Sequence, residues 1–275
     1  MYTVLKAGGG LYSHTGVKLF QYFRNRSKLS KYFFALLGFF VVAVLWNGYS
    51  IVKASPAIPT VGDIMQMVFY LIRDGPFLLH ITASMQIILL GIGAAACIGF
   101  TSGILIFRYP KLKAAVMPIV ESIRGIAALT LFPLIVVVFG IGHFPRAFII
   151  FWTAWPAIIL STIHSLEVDG SIIDAARVYG AGEWTIITHI RIPMALQGLI
   201  TGLRIGVGGG WISLIAAEML GASRGLGFYL LWSSQSFEFS KVYACIFIIA
   251  AIGGLMNLFL IFLQKKAKKL TGDTK

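Results

Sequence analysis

Residues 87–107 read IILLGIGAAACIGFTSGILIF, a run without a single charge that is closed by Arg108, Lys111 and Lys113. A helix needs about 20 mostly apolar residues to cross the hydrocarbon core of a bilayer. Continued back to Phe77, this run is long enough. Five more runs have the same character: Tyr32–Ile51, roughly Ala127–Gly142 extended backwards by a helical stretch from Ala114, Phe144–Ser165 with Pro156 inside it, about Leu196–Leu220, and Val242–Leu263. Pro156 is tolerable because neighbouring helices can satisfy the freed backbone group. Composition agrees: 58% of the 275 residues are hydrophobic, 12% are charged, and the mean hydropathy is +0.86. A soluble domain carries about twice that charge. Cys97 and Cys245 each sit inside an apolar run, with neither a disulfide framework nor metal-ligand spacing. Soluble, disordered and secreted classes are excluded. The fold class is all-α, a polytopic membrane protein with six transmembrane helices.

The first run starts too late and runs too long for a cleavable signal peptide, so it reads as a permanent anchor. The chain divides into an N-terminal tail with an interfacial helix (1–31), a transmembrane domain (32–264) and a basic tail (265–275). With the N-terminus inside, sixteen of the 23 lysines and arginines fall in segments on the cytoplasmic side and five in segments outside. The positive-inside bias therefore places both termini in the cytoplasm. The net charge of +13 faces anionic headgroups and is not a nucleic-acid footprint. Arg124 and Arg204 are left over, within or at the edge of spans.

Two segments read as helices that do not cross. Val17–Phe34 alternates apolar and basic residues, as in a helix lying on the cytoplasmic leaflet. Thr60–Ile72 begins with a Pro-Thr cap signal and carries Ile64, Met67, Val68 and Leu71 at helical spacing. Between the fourth and fifth runs, 167–193 is too polar for lipid and reads as two short helices. Ser171 caps the first, Gly180 breaks it, and the second runs from Glu183 to Ile190 and is ended by Pro193. A compact helix–glycine–helix fits a docking knob; a solvated connector is the plainer reading.

Asp174-Ala175-Ala176, three residues, Gly180, nine residues, Ile190, one residue, Ile192 and Pro193 resemble the EAA loop of bacterial binding-protein-dependent ABC importer permeases, E-A-A-x3-G-x9-I-x-L-P. Asp174 and Ile192 are conservative departures. Gly202-Leu203-Arg204-Ile205-Gly206, the run Ala216 to Gly227, Arg124 followed by Pro133-Leu134, and Phe139-Gly140-Ile141-Gly142 are similar to the branch that imports nitrate, sulfonates, taurine or bicarbonate. That branch commonly has Pro-Pro where Ile126 is followed here by Ala127-Ala128. The resemblance implies a type I importer fold in a bacterial cytoplasmic (inner) membrane. It implies a second permease subunit, identical or paralogous, two ATPase subunits, and an extracytoplasmic binding protein that delivers substrate. It also implies that Asp174, Ala175, Ala176, Gly180 and Ile190 couple to the ATPase, and that Pro193 sets the angle at which the fifth helix starts. No Gly-Lys dipeptide occurs, so the phosphate-cradling loop is missing and ATP with Mg belongs to the partner subunits. No catalytic residue, metal site or cofactor is assigned to this chain.

Glu121, Arg124, Arg204 and Glu218 are candidate pathway or gate residues, because an ionisable group within a span is costly without a partner or water. Glu121 and Arg124 are three apart and close enough to pair. Arg204 lies eleven residues past Pro193, near mid-depth at ~1.5 Å per residue; it either makes a structural ion pair or lines a cavity for a small anion. Glu218, near the outer end of the fifth run, could hold the glycine-rich segment after it by accepting backbone N–H groups; outer gating and simple placement at the interface are its two readings. Gly202, Gly206, Gly208, Gly209 and Gly210 suggest a close-packing face, with kinking as the other reading. Trp152, Trp155, Trp211 and Trp232 read as lipid or interface anchors in preference to substrate cages. An ATP-independent secondary transporter is the rival, but no internal repeat supports it. A membrane enzyme would need a clustered nucleophile and acid–base set, and none is evident.

Overall fold

The computed structural model describes residues 14–53, 55–73, 75, 77–167 and 170–270, with the backbone alone for 14–32, 35, 170, 171 and 268–270. The described residues form helices: α1 (His14–Lys53), α2 (Val61–Arg73), α3 (Phe77–Arg108), α4 (Pro110–Gly125), α5 (Ala128–Phe139), α6 (His143–Leu166), α7 (Gly170–Val178), α8 (Glu183–Ile186), α9 (Ile192–Gly221), α10 (Leu226–Gln235) and α11 (Phe239–Leu270). Five stretches are long and apolar enough to cross a membrane: Leu36–Lys53, Phe77–Arg108, His143–Leu166, Glu183–Gly221 and Phe239–Ala267. The chain is a multi-pass membrane protein.

The third span departs from expectation. It is not one rod but the pair α4 and α5, bent by 92°. Ile126 (φ −80°, ψ 118°) and Ala127 (φ −62°, ψ 115°) are both extended, which breaks the helical hydrogen-bond ladder. At ~1.5 Å per residue the 12 residues of α5 are too short to cross alone. Six spans are therefore counted only if the bent pair is one of them.

The structure separates into two compact units, one ending at Asp63 and one beginning at Ile64. In the first, the basic stretch expected on the leaflet is the first part of the continuous helix α1, and Lys6 lies outside the described residues. Near the end of α1, polar side chains hold the following turn: Trp46 Nε1 donates to the Pro59 carbonyl (3.0 Å), Ser50 Oγ to the Ile58 carbonyl (2.6 Å), and Val61 N–H to Asn47 Oδ1 (3.0 Å). The Thr60 hydroxyl accepts from Asp63 N–H, and Asp63 Oδ2 accepts from Thr60 N–H, a reciprocal cap that starts α2.

The second unit is built around α6. Ile149, Ile150, Ala154, Ile158, Ile159 and Ile163 are fully buried there, because α3 and α9 press on it from two sides. Each presents small residues every fourth position: Gly91, Ala95, Gly99 and Gly103 on α3, and Gly198, Gly202, Gly206 and Gly210 on α9. A Cβ at Gly91 would lie 2.6 Å from Ile150 Cβ, at Gly99 3.0 Å from Ile158 Cγ2, at Gly202 2.6 Å from Ile158 Cα, and at Gly206 2.8 Å from Ala154 Cβ. Small residues let backbones approach where apolar lipid supplies no hydrophobic drive between helices. The glycine face is thus a stripe with a four-residue period, and Gly208, which meets nothing within 4 Å, is not part of it. Trp211 is a correction as well. It is 7% exposed, donates Nε1 to the Ile249 carbonyl (3.3 Å), and belongs to the core with Ile87, Ile88, Leu214 and Ile248.

Candidate functional sites

The loop between α6 and α9 carries the first candidate set. Asp174, Ala175 and Ala176 lie on α7, which ends in a tight cap: Gly180 N–H donates to the Arg177 carbonyl (2.9 Å) and Ala181 N–H to the Ala176 carbonyl (2.9 Å). This is the Schellman arrangement, which needs a left-handed residue after the last helical turn. Gly180 supplies it with φ +84°, while a Cβ there would meet nothing within 4 Å. The glycine is required by backbone conformation and not by close packing. Arg177 then ties the two arms of the loop together, 2.6 Å from Glu183 Oε1 and 4.0 Å from Asp174. Ser171, expected to cap this helix, stands within it, since α7 already includes Gly170.

The second arm differs from the expectation of a short helix stopped by Pro193. Helix continues from Glu183 to Gly221. Pro193 has no N–H, and its ring would strike the carbonyl four residues back. A π-helical turn, Ile187–Arg191, absorbs the misfit, with Ile192 N–H donating to the Ile187 carbonyl. Ile190 sits in that turn, half-buried, and Pro193 in the first turn of α9. Around the loop, Ile172, Val178, Tyr179 and Trp184 are exposed, Tyr179 to 92%.

Glu218 occupies a different position. It is fully buried on α9 and accepts from Ser84 Oγ (2.7 Å) and from Gly227 N–H (2.9 Å). Ser84 Oγ in turn accepts from Leu226 N–H (2.9 Å), and His80 Nδ1 from Gly225 N–H (3.1 Å). Three side chains from α3 and α9 thereby satisfy the first amides of α10, which Gly225 leaves without a local cap. The sequence reading had no helix at α10. Gly225 (φ +137°) and Gly227 allow the carboxylate in: a Cβ at Gly227 would stand 2.9 Å from Glu218 Cβ. Arg146, one of the five cations counted from sequence in the outside segments, is 5% exposed in the first turn of α6, where Nε donates to the Gly142 carbonyl (2.9 Å). With His143, Arg224, Ser223 and Gln86 it lines a polar cavity of about 490 Å³. No spacing along the chain links those residues; the signal was only that Arg146 follows a proline at a helix start.

Arg204 makes no ion pair with Glu121. Its Nε donates to Asn257 Oδ1 (3.2 Å) and Nη1 to Gln264 Oε1 (3.2 Å), both on α11, and Gln264 Nε2 donates to Thr201 Oγ1 (3.0 Å). Neutral amides orient the guanidinium without neutralising it. Glu121 and Arg124 are both exposed on α4, and among the described residues no ion pair joins them. Arg124 instead lines a second cavity, of about 320 Å³, at the α4–α5 bend. The four ionisable candidates are thus not brought together into one site.

Residues 87–269 match the family model described as "Binding-protein-dependent transport system inner membrane component". The chain is 33% identical over 195 residues to the taurine transport system permease protein TauC of Escherichia coli, covering 70% of this chain and 71% of that protein. It is 30% identical over 187 residues to the nitrate import permease protein NrtB of Synechocystis sp., covering 68% of each. Among solved structures, the MetNI methionine ABC transporter in inward-facing conformations superposes with a TM-score of 0.57 at 19% identity, over 67% of this chain and 93% of that one, a likeness of fold. With its helical order, its α7–Gly180 loop and these matches, the chain belongs to the binding-protein-dependent transport system inner membrane component family.

Proposed function

We propose that this chain is the permease subunit of an ATP-driven importer for a small anion of the taurine, nitrate or bicarbonate class. A second permease, identical or paralogous, completes the pathway. Two ATPase subunits bind ATP and Mg and engage the α6–α9 loop through Asp174, Ala175, Ala176, Gly180 and Ile190. An extracytoplasmic binding protein delivers the substrate. Both termini and the α6–α9 loop face the cytoplasm, the side favoured by the excess of lysine and arginine.

The observation that carries this reading is the loop itself. An otherwise polar connection exposes Ile172, Val178, Tyr179 and Trp184, the kind of apolar patch that marks a protein contact. The Schellman cap and the Arg177–Glu183 pair set the two arms against each other. The second arm is continuous with α9, which packs against α3, α6, α10 and α11, so a push on the loop reaches the bundle through one helix. A rigid lever on a bistable bundle is what alternating access needs. Pro193 belongs to this lever through the π turn. An ATP-independent carrier has no use for such a loop.

The test is co-purification with the cognate ATPase and substrate-stimulated ATP hydrolysis. Ala176→Leu and Gly180→Leu abolish both, while the chain stays in the membrane at normal level. Retained association and normal stimulation in both variants refute the docking role. For the pathway candidates Arg204 and Glu121, unchanged import by Arg204→Gln and Arg204→Glu removes Arg204 from the pathway, and the same pair of outcomes for Glu121→Gln and Glu121→Lys removes Glu121.

A further inference from the structure

We infer that the cavity at the α4–α5 bend is a binding site for a small oxyanion, held through Arg124 and Trp152. This rests on the import of an anion proposed above and assigns the contact point within the chain. The cavity, about 320 Å³, is lined by Arg124 and Ala127 from the bend, Trp152 and Thr153 from α6, and Ser213 from α9. It has room for a small anion with some of its water, since a liquid water occupies ~30 Å³.

Three features of the lining favour negative charge. Arg124 makes no ion pair among the described residues, and no carboxylate lines the cavity beside it. An unneutralised guanidinium in a membrane segment calls for a partner. The Trp152 indole N–H is buried without a hydrogen-bond partner, although a buried donor left unmade is costly. It is a donor only, so what satisfies it must be an acceptor. α5 begins at the bend with Ala127 in the cap position, so no side chain covers its first amides. Ala127, Ala128 and Leu129 line the cavity, which places the positive end of the α5 dipole at it. Behind these features, Thr153 Oγ1 donates to the Ile149 carbonyl (2.9 Å), so Ser213 Oγ is the donor in their 3.1 Å contact, which joins α6 to α9 in the wall of the cavity. Gly209 makes this pairing fit, because a Cβ there would come 2.8 Å from Thr153 Cγ2.

The bend is what assembles the site. An unbroken third span would bury the amides of residues 127–129 in its own hydrogen bonds and carry Arg124 along a straight surface. The broken span instead exposes a helix start beside a cation, opposite the polar side chains of α6 and α9.

The chemistry recognised is a compact oxyanion, which a transported anion and the phosphate of an anionic lipid both offer; the assignment is to the transported anion. The full-length chain, labelled with 15N at its indole nitrogens, is placed in zwitterionic lipid nanodiscs and titrated with taurine, nitrate and bicarbonate in turn. The Trp152 resonance, identified by its loss in Trp152→Phe, shifts saturably with at least one of them. Arg124→Gln weakens that binding by roughly tenfold or more, the loss of one charge-assisted hydrogen bond. Arg124→Lys recovers part of it. The other five indole resonances stay in place, which shows that the variants are folded. A second set of nanodiscs holds phosphatidylglycerol and no added anion. The assignment is overturned if no soluble anion shifts the Trp152 resonance, if Arg124→Gln binds as tightly as the parent, or if phosphatidylglycerol alone moves the resonance. Uptake of the same three anions by the complete transporter separates the two levels of inference. Import without a Trp152 shift removes the cavity and leaves the function standing, whereas no import of any of the three removes the substrate class while the resonance still decides the cavity.

Discussion

Placing one methyl group at each of two glycines of α9, six residues apart, separates packing from propensity. At Gly202 a Cβ would stand 2.6 Å from Ile158 Cα and 3.1 Å from the Ala157 carbonyl oxygen. Both are backbone atoms of the neighbouring region of α6, so no side-chain rotation relieves the clash. Restoring a 3.4 Å contact requires α9 and α6 to part by about 0.8 Å at that level, and the ridge from Gly198 to Gly210 shares the displacement. Overpacking of this kind costs about 1–3 kcal/mol. At Gly208 the same methyl meets nothing within 4 Å, and the helix gains up to ~1 kcal/mol because alanine is the better helix former. Gly202→Ala gains the same propensity, so the two substitutions differ by the overpacking cost alone, about 1–3 kcal/mol. Equilibrium unfolding of the purified chain in mixed micelles, followed by tryptophan fluorescence, measures the difference directly. Gly202→Ala lowers the unfolding midpoint and Gly208→Ala leaves it unchanged or raises it. Equal stability of the two variants, or a more stable Gly202→Ala, refutes the close-packed stripe as the organiser of the α6–α9 contact.

The cap on α10 is open to a similarly local test. In Glu218→Gln one acceptor becomes a donor facing Ser84 Oγ–H or Gly227 N–H, at a cost of about 1–3 kcal/mol, and hydrogen exchange at Gly225, Leu226 and Gly227 accelerates roughly tenfold or more. Unchanged protection at those amides counts against the cap. At the other helix start, hydrogen bonds from the Thr60 hydroxyl and then the Thr60 amide hold the Asp63 carboxyl below its usual value of 3.8. A lowered folded value means that the cap's contribution is complete above 3.8 and is lost as pH falls through the lowered value. A titration followed at the Thr60 amide resonance has its midpoint below 3.8, and Thr60→Val moves it upward; a native midpoint at or above 3.8 contradicts the capping geometry.

Much of this was readable residue by residue. The length of an apolar run is a property of the chain alone, since a bilayer of fixed thickness asks only for enough consecutive nonpolar side chains. Five spans, the capped α2 and the division of the α6–α9 loop at Gly180 follow from such local rules. Gly180 is legible because the Schellman cap it enables is closed by residues within five positions of it. The acceptor role of Glu218 was visible as a carboxylate just before a glycine-rich stretch. Its partner Ser84, and His80, which accepts from Gly225 N–H in the same cap, were not, because they come from α3, more than a hundred residues away along the chain.

What the sequence by itself determined, then, is where helices lie, how long they are, and which loop has the spacing of a coupling element. The tertiary structure decided which helix face each residue occupies. It separated Gly208 from the stripe that holds Gly206, turned Trp211 into a core residue, and buried Arg146 at a helix start. It also broke the third span at Ile126 and Ala127, residues with no turn signal of their own. The physical reason is the same throughout. Hydropathy and local hydrogen bonding are summed along the chain, whereas close approach, burial of a charge and the place where a helix bends are set by neighbours from distant segments. The cavity at the uncapped start of α5 beside Arg124 is bounded on its other side by Trp152, Thr153 and Ser213 from α6 and α9.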